Sequence, residues 1–179
     1  MRSIKSINRS DMTDIALGGA FLGTGGGGDP YIGRLMAEQA IDNHGPVEVI
    51  DVESLSDDAL VIPVCMMGAP TVMLEKLPRG DEAINALRSL EAVLGRKADA
   101  LFCIEAGGLN STIPIAVAAT AGLPIVDGDG MGRAFPELQM VSMTMFDIHA
   151  CPMAMADEKG NALVPVSYTH LTLPTIREV

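Results

Sequence analysis

Between Gly23 and Pro30 the chain reads GTGGGGDP, and five of these eight residues are glycine. Glycine loses more conformational freedom on folding than any other residue. Four in a row inside a folded domain imply that something approaches the bare backbone too closely for side chains. The run is also punctuation. Before it, Ile15, Ala16, Ala20 and Leu22 recur at helical spacing behind the cap-type residues Ser10 and Asp11, which predicts a helix over 11–22. After it, Ile32, Leu35, Met36 and Ala40 predict a helix over 30–43, with Pro30 placed where its missing N–H costs nothing.

What approaches the glycines has two readings. The amides of Gly25, Gly26, Gly27 and Gly28 ahead of the second helix suit an anion such as a substrate carboxylate. Asp29 beside them is a candidate substrate contact. Alternatively another stretch of backbone packs there, with Asp29 capping the helix. A nucleotide is not expected. A phosphate-binding P-loop needs Lys and Ser/Thr after the last glycine, where this chain has Asp29 and Pro30. The dinucleotide fingerprint needs a strand ahead of its glycines, and here a helical pattern precedes them.

The rest of the chain alternates. VEVIDV and ALVIPVCMMG are β-branched runs bounded by turn residues and read as strands. Ala83, Leu87, Leu90 and Leu94 mark a helix. ADALFCIEAGG reads as a buried strand, and NSTIPIAVAATAGL as a helix of small residues capped by Asn110 or Ser111. PIVDGDGMG is a short strand breaking into a loop, AFPELQMVSMTMFDI a helix or helix-to-strand passage, and PMAMADEKGNALV a hairpin. Strands alternating with helices predict an α/β fold, a mostly parallel sheet flanked by helices. Ligands bind such sheets at the carboxyl ends of strands. Three glycine-punctuated loops are expected there: Gly68–Thr71, Glu105–Asn110 and Asp127–Arg133.

The formal net charge of -11 argues against nucleic acid and anionic membranes as partners. No apolar run reaches the ~20 residues of a membrane span, and the first residues lack a signal-peptide core, so a cytoplasmic location is expected. Three cysteines without a CxxC spacing make no disulfide framework, and Cys65, Cys103 and Cys151 each read as small apolar packing groups.

Carboxylates carry the candidate chemistry. Glu105 follows a buried strand and is an acid/base candidate that needs a partner, a metal or solvent if it is to stay charged. Asp127 and Asp129 stand two apart in a glycine loop, with Arg133 and Glu137 close behind. The two aspartates suit either a shared divalent cation or a catalytic base, with Arg133 a catalytic candidate that stabilises developing negative charge, or else Arg133 neutralises one of them in a structural turn. His149 is a further candidate metal ligand or base. Asn110 is a candidate substrate contact as well as a cap.

Taken together, GGAFLGTGGGGDPYIG, PVCMMGAPTVMLEK, EAGGLNSTIPI and DGDGMGRAFPELQM resemble the N-terminal domain of the S-methyl thiohydantoin desulfurase family. The family was formerly a domain of unknown function and is associated with hydantoin utilisation. The resemblance runs from about Ser10 to Pro165. It implies hydrolytic loss of sulfur from a five-membered thiohydantoin ring bearing a carboxylate, and a second, C-terminal domain that this chain lacks. Homo-oligomers are a further partner class, and the chain alone is expected to be inactive. The alternative is a non-catalytic accessory subunit of a hydantoinase- or oxoprolinase-type enzyme. A nucleotide-dependent enzyme is the weaker rival. Residues 166–179 differ in character, and Val166–Thr175 back-translates to a string resembling a transposase sequencing-library adapter. We expect a non-native tail there, with Tyr168 and His170 carrying no function.

Overall fold

A computed structural model describes residues 5–68, 75 and 78–166. Five strands form one sheet: β1 (Ser6–Ile7), β2 (Val47–Ile50), β3 (Val61–Val64), β4 (Ala100–Cys103) and β5 (Ile125–Asp129). Their order is β1-β2-β5-β4-β3. β2, β5, β4 and β3 run parallel, and β1 pairs antiparallel with β2 at one edge. Among the described residues the α-helices with a full range are α1 (Met12–Gly23), α2 (Pro30–His44), α3 (Glu82–Leu94) and α4 (Ile113–Ala121). A short hairpin of β6 (Met155–Ala156) and β7 (Ala162–Leu163) follows, as PMAMADEKGNALV predicts. The fold is thus the expected α/β class. None of the described helices is long and apolar enough to cross a membrane. Residues 69–71 of the first expected loop and residues 167–179 of the expected tail lie outside the described residues.

α3 links β3 to its parallel neighbour β4, and α4 links β4 to β5, so these two parallel pairs are each joined by a helical crossover, while β2 and β5 pair without being consecutive in the chain. α4 is apolar almost throughout and touches all four parallel strands, while α2 covers α4. The core gathers Val47, Leu87, Leu101, Leu109, Ile113 and Ile125. Glu91 is buried at the end of α3. Burial works against its charge, but hydrogen bonds from Arg88, the Ala98 amide and Lys97 outweigh it and hold its pKa at about 2.

The faces that α1 and α2 bury differ from the periodic expectation. α1 buries Met12, Ala16, Gly19 and Gly23, and leaves Leu17, Phe21 and Leu22 exposed. α2 buries Gly33, Ala37, Glu38 and Ile41, and Leu35 is exposed. The reason is steric. A Cβ on Gly19 would lie 2.6 Å from Ser111 Oγ, and one on Gly33 2.1 Å from Thr112 Oγ1. Close approach between helices and the 108–112 turn, rather than apolarity, chose these faces.

The start of α4 is also corrected. Thr112 is its N-cap residue and makes no capping bond, because a 3-10 turn over Gly108–Ser111 runs directly into the helix. The Asn110 side chain is engaged elsewhere. The segment AFPELQMVSMTMFDI is neither an α-helix nor a strand, but two 3-10 turns, Leu138–Met140 and Ser142–Phe146.

Candidate active-site cleft

A hollow of about 1700 Å³ extends along β3 from Leu60 to the carboxyl edge of the parallel strands, where a cleft is lined by Gly27, Cys65, Glu105, Asn110, Arg133 and Phe135 among others. The loops after β3, β4 and β5 all contribute, as expected for an open α/β sheet.

The glycine run reaches this edge, and its close partner is another backbone. A Cβ on Gly27 would lie 2.2 Å from the Gly107 carbonyl oxygen, and one on Gly108 would lie 2.5 Å from Gly28 O. The Leu109 and Asn110 amides donate to Gly28 O and Gly27 O, both at 3.3 Å. Gly27 and Gly108 have φ of 78° and 59°, in the region that L side chains rarely adopt. Asp29 caps α2 by accepting from the Tyr31 amide at 2.9 Å. The N-terminus of α2 therefore already holds a carboxylate from its own chain. Gly26 donates to Gly23 O, while the Gly25, Gly27 and Gly28 amides make no backbone hydrogen bond among the described residues.

Glu105 is 6% exposed and joins the three loops. One carboxylate oxygen accepts from the Asn110 side-chain amide, and the other accepts from the Phe135 amide at 2.8 Å. Asn110 in turn pairs with Met66 like a peptide unit. The Met66 amide donates to Asn110 Oδ1 at 2.7 Å, and Asn110 Nδ2 donates to Met66 O at 3.1 Å. A buried carboxylate needs such donors to remain charged. Beneath it, the Cys103 thiol donates to Glu105 O at 2.9 Å. Burial pushes the Cys103 thiol up to about 12, opposed by the Glu105 backbone and helped by the charges of Asp129 and Glu105. Burial, with the Glu105 charge, raises Cys65 to about 11. Neither is a thiolate at neutral pH, in keeping with a packing role.

The aspartates part company. Leu101 pairs with Ile125 and Cys103 with Asp129, so β5 carries two more residues than β4 across this interval. The irregularity breaks the two-residue alternation on which shared ligation rests. Asp129 turns inward and accepts from the amides of Ala106 at 2.8 Å and Gly132 at 2.6 Å. Asp127 is exposed, with no hydrogen bond or ion pair among the described residues. His149 is exposed and pairs with Asp147 at 3.3 Å. Among the described residues no three of His, Cys, Asp and Glu come together as a metal-holding group. The expected ligand set of Asp127, Asp129 and His149 is thus not assembled. A cation on Asp127 would need ligands from outside the described residues.

Arg133 does not neutralise an aspartate in the turn. Its Nε donates to Ala134 O at 3.1 Å, and the guanidinium forms no ion pair among the described residues. The cleft therefore has a buried, hydrogen-bonded carboxylate and, at its rim, a cation without an ion pair among the described residues. The Met66 and Phe135 amides escaped sequence reasoning, because a backbone donor has no side-chain signature.

A mostly parallel sheet with its cleft at the carboxyl edge defines an α/β domain of the kind that takes small ligands there. More narrowly, the chain belongs to the S-Me-THD-like family, whose N-terminal domain matches residues 10–166. A crystal structure of a protein from Chromobacterium violaceum is similar across the fold, with a TM-score of 0.76 and 27% sequence identity. The similarity covers 98% of this chain and 47% of that one, so the chain spans about half the length of the solved structure. No curated protein matches the chain.

Proposed function

We propose that this domain carries the acid/base half of a hydrolase acting on a carboxylate-bearing thiohydantoin-type ring. The observation that supports it is Glu105, a carboxylate held by Asn110 and the Phe135 amide in a cleft whose rim presents Arg133, which has no ion pair among the described residues. Arg133 engages the ring's carboxylate, since a guanidinium offers several donors to such a group. Glu105 takes a proton from water as the water oxygen bonds to the ring carbon bearing sulfur and the C=N π pair moves onto the ring nitrogen. The nitrogen pair then re-forms the π bond as the C–S bond breaks, and the proton passes from Glu105 to the leaving sulfur. A thiol departs, the remaining hydroxyl proton moves from oxygen to the ring nitrogen, and a hydantoin carbonyl remains, with no net change in protons on the protein.

The test is thiol release from a carboxylate-bearing S-methyl thiohydantoin by the chain joined to its family's second domain. Glu105→Gln keeps the side chain's size and one of its two accepted hydrogen bonds, and should abolish kcat with little change in KM. Arg133→Met should raise KM. Full turnover by Glu105→Gln would overturn the reading. A second reading, an accessory subunit of a hydantoinase- or oxoprolinase-type enzyme, is favoured by the fact that both Glu105 oxygens already serve the fold. Turnover that appears only when a partner enzyme is added would select it.

A further inference from the structure

The loop after β5 holds five large apolar side chains in or toward water: Met131, Met140, Met145, Phe146 and Ile148. Met145 is 82% and Phe146 76% exposed. They are not on a loosely held segment. Buried Val141 packs against Gly130, the Ser142 amide donates to Gly130 O at 2.8 Å, and the Thr144, Asp147 and Ile148 amides each close a turn. An apolar surface presented on fixed backbone beside a cleft marks an interface. A second exposed set, Leu17 and Phe21 on α1, does not follow the loop that carries Arg133.

We propose that the 131–148 segment is the docking face for the domain that forms the other half of the family's longer chains. Two observations name this occupant. The matched family region is an N-terminal domain, and the Chromobacterium violaceum chain of the same fold is about twice as long. The segment's position selects the face. It leads away from Arg133 at the mouth of the cleft, and small-molecule sites favour domain interfaces. Docking there would roof the cleft and exclude water. The proposal rests on the fold and the family, not on the activity proposed above.

The test co-expresses tagged chain with the half of the Chromobacterium violaceum protein that this chain does not match. A one-to-one complex should co-purify. Brief peroxide treatment followed by mass mapping should show Met131, Met140 and Met145 oxidised several-fold more slowly in the complex than in the chain alone, with buried Met12 as the unreactive reference. The double variant Met145→Ser, Phe146→Ser should lose co-purification while the chain's melting temperature is unchanged, and Phe21→Ser should retain it. Four outcomes would overturn the proposal: no complex, a complex in which Met145 oxidises at its free rate, a complex that survives the double variant, or self-association of the chain that protects the same methionines.

Discussion

The loops after β4 and β5 leave neighbouring strands at the same edge, and both are punctuated by glycine, yet they are built in opposite ways. Residues 105–111 are almost entirely buried, with Glu105, Asn110 and Cys103 satisfied by partners from three loops and a second backbone pressed against Gly107 and Gly108. Residues 131–148 are tied to the fold through the Gly132 and Phe135 amides, which donate to Asp129 and Glu105, through the Ser142 amide on Gly130 O, and through buried Ala134 and Val141, and turn most of their large side chains outward. The first loop is constrained because its contacts are backbone on backbone, where no rotamer can yield. The second keeps its surface free because it is held by backbone hydrogen bonds and by two small buried side chains, Ala134 and Val141.

The sharpest way to break this contrast is Gly27→Ala or Gly108→Ala. Either adds a side chain at positive φ and drives a Cβ into backbone, so each should cost about 3–5 kcal/mol in denaturant unfolding. A near-neutral result would mean that the glycine contact is looser than its geometry. Next comes acid stability, which lies outside both loops. The pKa of Glu91 is depressed from 4.5 to about 2, so its contribution is complete above about pH 4.5 and is lost as pH falls toward 2. Glu91→Gln should flatten that limb of the stability–pH curve and remove on the order of 3 kcal/mol at most near neutrality. An unchanged curve would place the acid sensitivity elsewhere. Asn110→Ala strands the Met66 amide and one Glu105 oxygen, and should cost about 2 kcal/mol in the same unfolding assay. Phe146→Ser should shift stability by less than about 0.5 kcal/mol, since an exposed side chain leaves little behind. A large loss there would show that the second loop is as tightly bound as the first.

Much of the fold was legible because its signals are local. The bounds of α1 and α2, the β-branched strands and the turn between β6 and β7 follow from spacing, caps and breakers within a few residues. What was not legible depended on distant partners. Leu22 and Leu35 fit a helical stripe, but Gly19 and Gly33 faced the 108–112 turn instead. Asn110 has the composition of a cap and serves as a cross-loop clasp. Asp127 and Asp129 have a shared-ligand spacing, and an irregular β4–β5 register separates their surroundings. Glu105 was found from its place after a buried strand, whereas the amides of Met66 and Phe135 that complete its setting have no signature of their own.

The glycine contact also has a consequence in time. Gly27 and Gly28 emerge from the ribosome long before Gly107 and Gly108, and β3, α3 and β4 must be made between them. Contacts between residues so far apart in the chain bear a loop-closure cost before they return any stabilisation. The α1–α2 corner therefore waits, its flat glycine surface uncovered, until the β4 loop arrives. Closing the carboxyl edge should be among the last events of folding, and the cleft should become competent only once the rest of the sheet is in place.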